Sequence, residues 1–166
     1  MAEKLTLTAT DKAGRYEEIL PQIESVTADE PDRTANLANT AAILREAFGF
    51  FWVGFYEVKT SADGEPQLVL GPFQGPLACT RIRRGRGVCG TAWAEGRTQV
   101  VPDVDLFPGH IACSSLSRSE IVVPIRSRDG SQVVAVLDID STDLATFDDT
   151  DRRYLERLAA LLSTRW

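Results

Sequence analysis

Three cysteines, Cys79, Cys89 and Cys113, are the residues of this chain best suited to covalent chemistry. They are widely spaced, with no Cys-x-x-Cys pair, and each sits in a loop-like or glycine-flanked setting: Ala78-Cys79-Thr80, Gly87-Val88-Cys89-Gly90 and His110-Ile111-Ala112-Cys113. Three readings fit. The cysteines could be small buried hydrophobes, as free cysteines often are. One could be a nucleophilic thiolate that a second resolves as a disulfide. With His110, the only histidine, the three could also form a Cys₃His zinc set. Structural zinc sites use at least one tight Cys-x₂₋₄-Cys knuckle, which is missing here, so no metal is expected.

Acids form the second group. Glu120 opens the segment Ile121-Val122-Val123-Pro124, and Asp138 and Asp140 stand two apart in Val133–Ser141. Positions two apart on a strand share a face, so both carboxylates would emerge together. On a buried face, desolvation and mutual repulsion would raise at least one pKa and leave a carboxylic acid able to donate a proton. The ordinary alternative is a strand ending at Leu137, with both acids in a solvated turn. His110 could lower the Cys113 pKa if their side chains meet, and Trp52 could wall an apolar pocket or simply fill the core. The run Arg81-Ile82-Arg83-Arg84-Gly85-Arg86 lacks interleaved aromatics and reads as a solvated strand edge rather than a nucleic-acid surface. Gly85-Arg86-Gly87-Val88-Cys89-Gly90 spells G-x-G-x-x-G, but without a βαβ setting it is no dinucleotide fingerprint.

These side chains need elements to hold them. Asp11 to Val26 reads as a helix that Pro21 should break or kink. A second should start near Pro31 and end at Gly49. Phe50 to Val58 is aromatic and β-branched, hence a strand, followed after a turn at 62–66 by a strand from Gln67 to Leu70. A short helix from Val88 to Ala94, a strand from Thr98 to Val101 and a loop through His110 come next. Ile121–Arg126 and Val133–Ile139, joined by Arg128-Asp129-Gly130-Ser131, form the clearest hairpin. Asp148 reads as the N-cap of a final helix carrying Tyr154, Leu155, Leu158 and Leu162. Helices at both ends with hairpins between predict an α+β sandwich around an antiparallel sheet.

The whole amounts to one domain over residues 1–166, with 43% hydrophobic residues to fill its core. A net charge of −6 argues against nucleic acid and anionic membranes as partners. The first twenty residues show no apolar targeting segment, so a reducing, cytoplasmic setting with free thiols is expected.

Taken together, Leu70-Gly71-Pro72-Phe73-Gln74-Gly75, Ala78-Cys79, Gly85–Ala92, Gly109-His110-Ile111-Ala112-Cys113, Ser119–Pro124 and Val136–Ser141 closely resemble the free methionine-(R)-sulfoxide reductases, which are single GAF domains. Ala35–Ala41 and Trp52–Tyr56 are similar as well, so the likeness runs from about Tyr16 to Leu162. The resemblance implies a GAF-like sandwich and a definite chemistry. Cys113 would be the nucleophile, left as a sulfenic acid when methionine departs, and Cys79 would close a disulfide on it for thioredoxin to reduce. Cys89 would be auxiliary. Glu120, Asp138 and Asp140 would line the substrate pocket and Trp52 would bound the substrate's methyl end. The amides near Ile111 and Ala112 are candidate donors to the substrate. No cofactor is implied, and a homodimer is. A GAF-type sensor that binds without turnover remains an alternative, since it needs the pocket but no resolving thiol.

Overall fold

Among the described residues, three of the four α-helices start on an aspartate whose side chain accepts from the first free amides. The computed structural model describes residues 4–62, 64–111 and 113–166. Helix α1 (Lys12–Ala28) is capped by Asp11, α2 (Arg33–Phe48) by Asp32 and α4 (Asp149–Ser163) by Asp148. At Asp148 the cap is reciprocal, because Asp151 accepts back from the Asp148 amide. Asp32 outcompetes Pro31 for the start of α2, so the proline stands just outside the helix. Gly49, at φ 68°, ends α2 as expected. Pro21 neither breaks nor ends α1. It lies on the exposed side of that helix, where the carbonyl it leaves unpaired faces water.

Strands β1 (Trp52–Thr60), β2 (Pro66–Gln74), β3 (Arg81–Ile82), β4 (Gln99–Val101), β5 (Ser119–Arg126) and β6 (Val133–Ser141) form one sheet in the order β3-β2-β1-β6-β5-β4. Every pairing is antiparallel. Strand β2 runs past the expected end at Leu70. An irregularity in its pairing with β1, between Gly54 and Tyr56, makes room for Gly71 and Pro72 without requiring a ladder bond from the proline. Strand β6 also runs past Leu137, through both aspartates, which removes the solvated-turn reading.

The period-two alternation divides the strands between two cores. Val53, Phe55, Ile121, Val123, Ile125, Leu137 and Ile139 face α1, α2 and α4 in one continuous cluster. The opposite face carries Trp52, Tyr56, Val122 and Val136, packed under α3 (Gly87–Glu95) with Val88, Cys89, Ala92 and Trp93. Asp138, Asp140 and Glu120 belong by alternation to this second face. The sheet therefore gathers Glu120, Asp138 and Asp140 at one end of an apolar surface that a short helix and two long connections cover. Among the described residues, no helix is long and apolar enough to cross a membrane.

Candidate active site

Register sets the acids side by side. Trp52 on β1 pairs with Asp140 on β6, and Asp140 pairs with Glu120 on β5, so the three stand in one row across adjacent strands. Asp138 is one step along the same face, opposite Gly54 and Val122. Glu120 and Asp138 are each 6% exposed. Burial is the main reason both carboxyls titrate well above the usual carboxylate range, with their neighbouring acids adding to it. Asp140 is less enclosed and is pushed up by burial to about 6, although a hydrogen bond from Ser117 holds it back. Glu120 and Asp138 keep their protons at neutral pH because several like charges cannot be carried together away from water.

Trp52 forms a wall beside it. Its ring stacks on Phe73 at 5.3 Å and on Tyr56 at 6.0 Å, and its indole N–H donates to the Pro76 carbonyl at 3.1 Å. Gly54 is what lets the ring lie down. A Cβ there would fall 2.3 Å from the Phe73 Cβ and 2.7 Å from the Trp52 ring. Gly54→Ala should therefore lift the indole or part β1 from β2. The expected cost is about 1–3 kcal/mol of stability together with a raised substrate KM, read by thermal melting and steady-state kinetics. Unchanged values of both would show that the ring's seat does not matter.

Above the acids, Cys79 and Cys113 are joined by a disulfide, with 5.5 Å between their Cα atoms. The bridge ties the segment after β2 to the loop before β5. Cys79 is half-buried and Cys113 exposed, and Tyr56 donates its hydroxyl to the Cys79 carbonyl at 3.0 Å. The cavity beneath encloses about 550 Å³ including its mouth. Cys113, Cys89, Glu120, Asp138, Asp140 and Trp52 all line it. Nearly every side chain singled out in the sequence thus converges on one place.

The remaining candidate residues occupy varied settings. Cys89 is buried and free, and burial with the nearby Asp138 and Glu120 pushes its thiol well above the usual range, so it is a thiol and no nucleophile at rest. With Cys79 and Cys113 in the disulfide, the Cys₃His zinc set is not assembled. His110 lines the cavity with its Nε2 4.0 Å from Glu120 Oε2, but burial lowers its pKa and favours the neutral ring. Ile111 lines the cavity too, packed against Gly87, whereas Ala112 lies outside the described residues. The amide of Cys113 is not a free donor to substrate, because it already donates to the Ile111 carbonyl at 3.0 Å. Most of the arginine run is exposed at β3 and the turn after it, yet Arg86 also reaches the cavity wall. No sequence expectation assigns Tyr56, Ser117 or Arg86 to a pocket, yet all three line this one. The alternation Trp52-Gly54-Tyr56 was a sufficient signal for the first, and no comparable signal marks the other two.

A six-stranded antiparallel sheet with three helices on one face and a lidded pocket on the other is the GAF fold, and residues 32–166 match the GAF domain family. Within that class the disulfide over buried acids narrows the comparison. Free methionine-R-sulfoxide reductase of Saccharomyces cerevisiae is 44% identical over 156 residues, covering 89% of this chain and 85% of its own. The Escherichia coli protein of the same name is 44% identical over 153 residues, 92% of this chain and 88% of its own. The X-ray structure of free methionine-R-sulfoxide reductase from Neisseria meningitidis in complex with its substrate superposes with a TM-score of 0.92 at 65% identity, covering 98% of this chain and 94% of that one. The chain belongs to the free methionine-R-sulfoxide reductases, a family of GAF-domain enzymes.

Proposed function

We propose that this protein reduces free L-methionine-(R)-sulfoxide to L-methionine, with Cys113 as the attacking thiolate and Cys79 as its resolving partner. The observation that carries the reading is the Cys79–Cys113 disulfide set over a cavity whose floor holds three acids, of which Glu120 and Asp138 retain their protons. A sulfoxide oxygen leaves poorly until it is protonated, and one of Glu120, Asp138 or Asp140 supplies that proton. Oxygen passes to the Cys113 sulfur, the substrate sulfur gains two electrons, and Cys113 becomes a sulfenic acid. The Cys79 thiolate then displaces the hydroxyl, which leaves as water, and the disulfide closes. An external dithiol of the thioredoxin class returns two electrons and two protons, attacking the exposed Cys113 side of the bridge. No resident cofactor takes part.

The remaining groups match a free amino acid. An ammonium finds partners among the acids, and Arg86 is the cation on the wall within reach of a carboxylate. Trp52 and Tyr56 offer the apolar, stacked surface that a methyl group prefers. A binding-only sensor needs the same cavity but has no use for a resolving thiol.

Incubation with racemic free methionine sulfoxide and dithiothreitol tests the reading. Consumption of the R epimer alone is expected, and consumption of neither would end it. Cys79→Ser should release about one methionine per chain and then stall with Cys113 as sulfenic acid when thioredoxin is the reductant. Sustained turnover of that variant would show that another thiol resolves the intermediate. Dimedone labelling of Cys113, followed by mass spectrometry, reads the stalled state.

A further inference from the structure

We propose that Cys89, Glu120 and Asp138 form a site for one divalent cation of the zinc class on the floor of the cavity. Cys89 Sγ and one carboxylate oxygen from each acid all lie within 4.8 Å of one another. Zinc bonds of about 2.0–2.3 Å hold their ligand atoms roughly 3.3–3.8 Å apart, so small side-chain rotations close the site. A separate sign that a ligand belongs here is Asp138 Oδ1, which is buried without a hydrogen-bond partner. His110 Nε2 is 4.0 Å from Glu120 Oε2 but outside the group of three, so a water is the fourth ligand. One thiolate and two carboxylates suit zinc, whereas calcium and magnesium sites are built of oxygen alone. Among the described residues no lysine or arginine forms an ion pair with Cys89, Glu120 or Asp138, so no fixed cation competes with an incoming metal ion for these ligands. The ligands differ from a Cys₃His set, since two of those cysteines are committed to the disulfide. Binding expels the Cys89 proton and the carboxyl protons to solvent and moves no electrons. The ion is an exogenous ligand. It would also inhibit the reductase by removing the proton-donating acids, a consequence that rests on the function proposed above.

The oxidised protein is the right material, because there Cys89 is the one remaining thiol. Titration with Cd²⁺ should produce a thiolate-to-cadmium ultraviolet band that saturates at one ion per chain and is abolished by competing Zn²⁺. Cys89→Ser should remove the band, and Asp138→Asn should weaken Cd²⁺ binding by about tenfold or more. Absence of the band in the wild type, its persistence in Cys89→Ser, or unchanged affinity in Asp138→Asn would overturn the site. Should a variant fail to fold, cadmium NMR of the wild type decides: a single-thiolate shift is expected, and an all-oxygen shift contradicts it. None of these readouts requires turnover, so a failed reductase assay and a failed metal titration are separable.

Discussion

Cys113→Ser is expected to lower kcat/KM for free methionine-(R)-sulfoxide by about 10⁴-fold or more, to the limit of detection. A serine hydroxyl at neutral pH is a far weaker nucleophile than a thiolate, and oxygen cannot pass through the sulfenic state that the cycle needs. The loss should not come from unfolding. The disulfide spans 34 residues of sequence, so its removal should cost about 3–4 kcal/mol against the oxidised wild type on a chain-entropy account. Against the reduced wild type the variant should melt at nearly the same temperature. Parallel melts with and without reductant separate the chemical role from the structural one. Activity within a factor of ten of wild type would move the nucleophile elsewhere.

The second large effect concerns the acids. Glu120→Gln and Asp138→Asn should each reduce kcat/KM by about 10²–10⁴-fold, because an amide fills the space but cannot protonate the departing oxygen. The same burial that keeps these carboxyls protonated also makes them costly to ionise. Their folded-state pKa values are raised, so the fold binds more protons than the unfolded chain, and their contribution to stability is complete only below the unfolded value. It is lost as pH rises through the folded pKa. For Asp140 that window runs from its ordinary 3.8 to about 6, and Glu120 and Asp138 extend the decline upward. Asp140→Asn should accordingly flatten the fall of melting temperature across this window. A wild-type melting temperature that climbs through it would mean the acids are already ionised in the fold.

How much of this was legible beforehand depends on where each residue sits. Strongly patterned elements were plain: α4 has an aspartate cap and an apolar stripe, and the hairpin of β5 and β6 has an Asp-Gly turn. The extension of β6 through Asp138 and Asp140 was not, since period alone cannot distinguish a buried charged strand end from a solvated turn. Only the cover provided by α3 and the flanking loops decides that. Pro21 misled because proline's penalty depends on which side of the helix it occupies, a tertiary fact. The cysteines were visible as candidates, but their pairing is a contact between segments far apart in the chain, and only the resemblance implied it. Arg86 and Ser117 lie in irregular backbone, where no periodicity points a side chain toward a cavity.

In the proposed cycle, one two-electron reduction of the free amino acid is coupled to closure of the Cys79–Cys113 disulfide. A single-turnover experiment tests it most directly. Fully reduced protein, freed of reductant, is mixed with one equivalent of methionine-(R)-sulfoxide, then quenched with a thiol-blocking reagent and mapped by peptide mass spectrometry. The account predicts one methionine per disulfide formed, with the bridge joining Cys79 to Cys113 and Cys89 recovered as an alkylated thiol. Methionine formed while Cys79 and Cys113 remain free, or a bridge that includes Cys89, would contradict it.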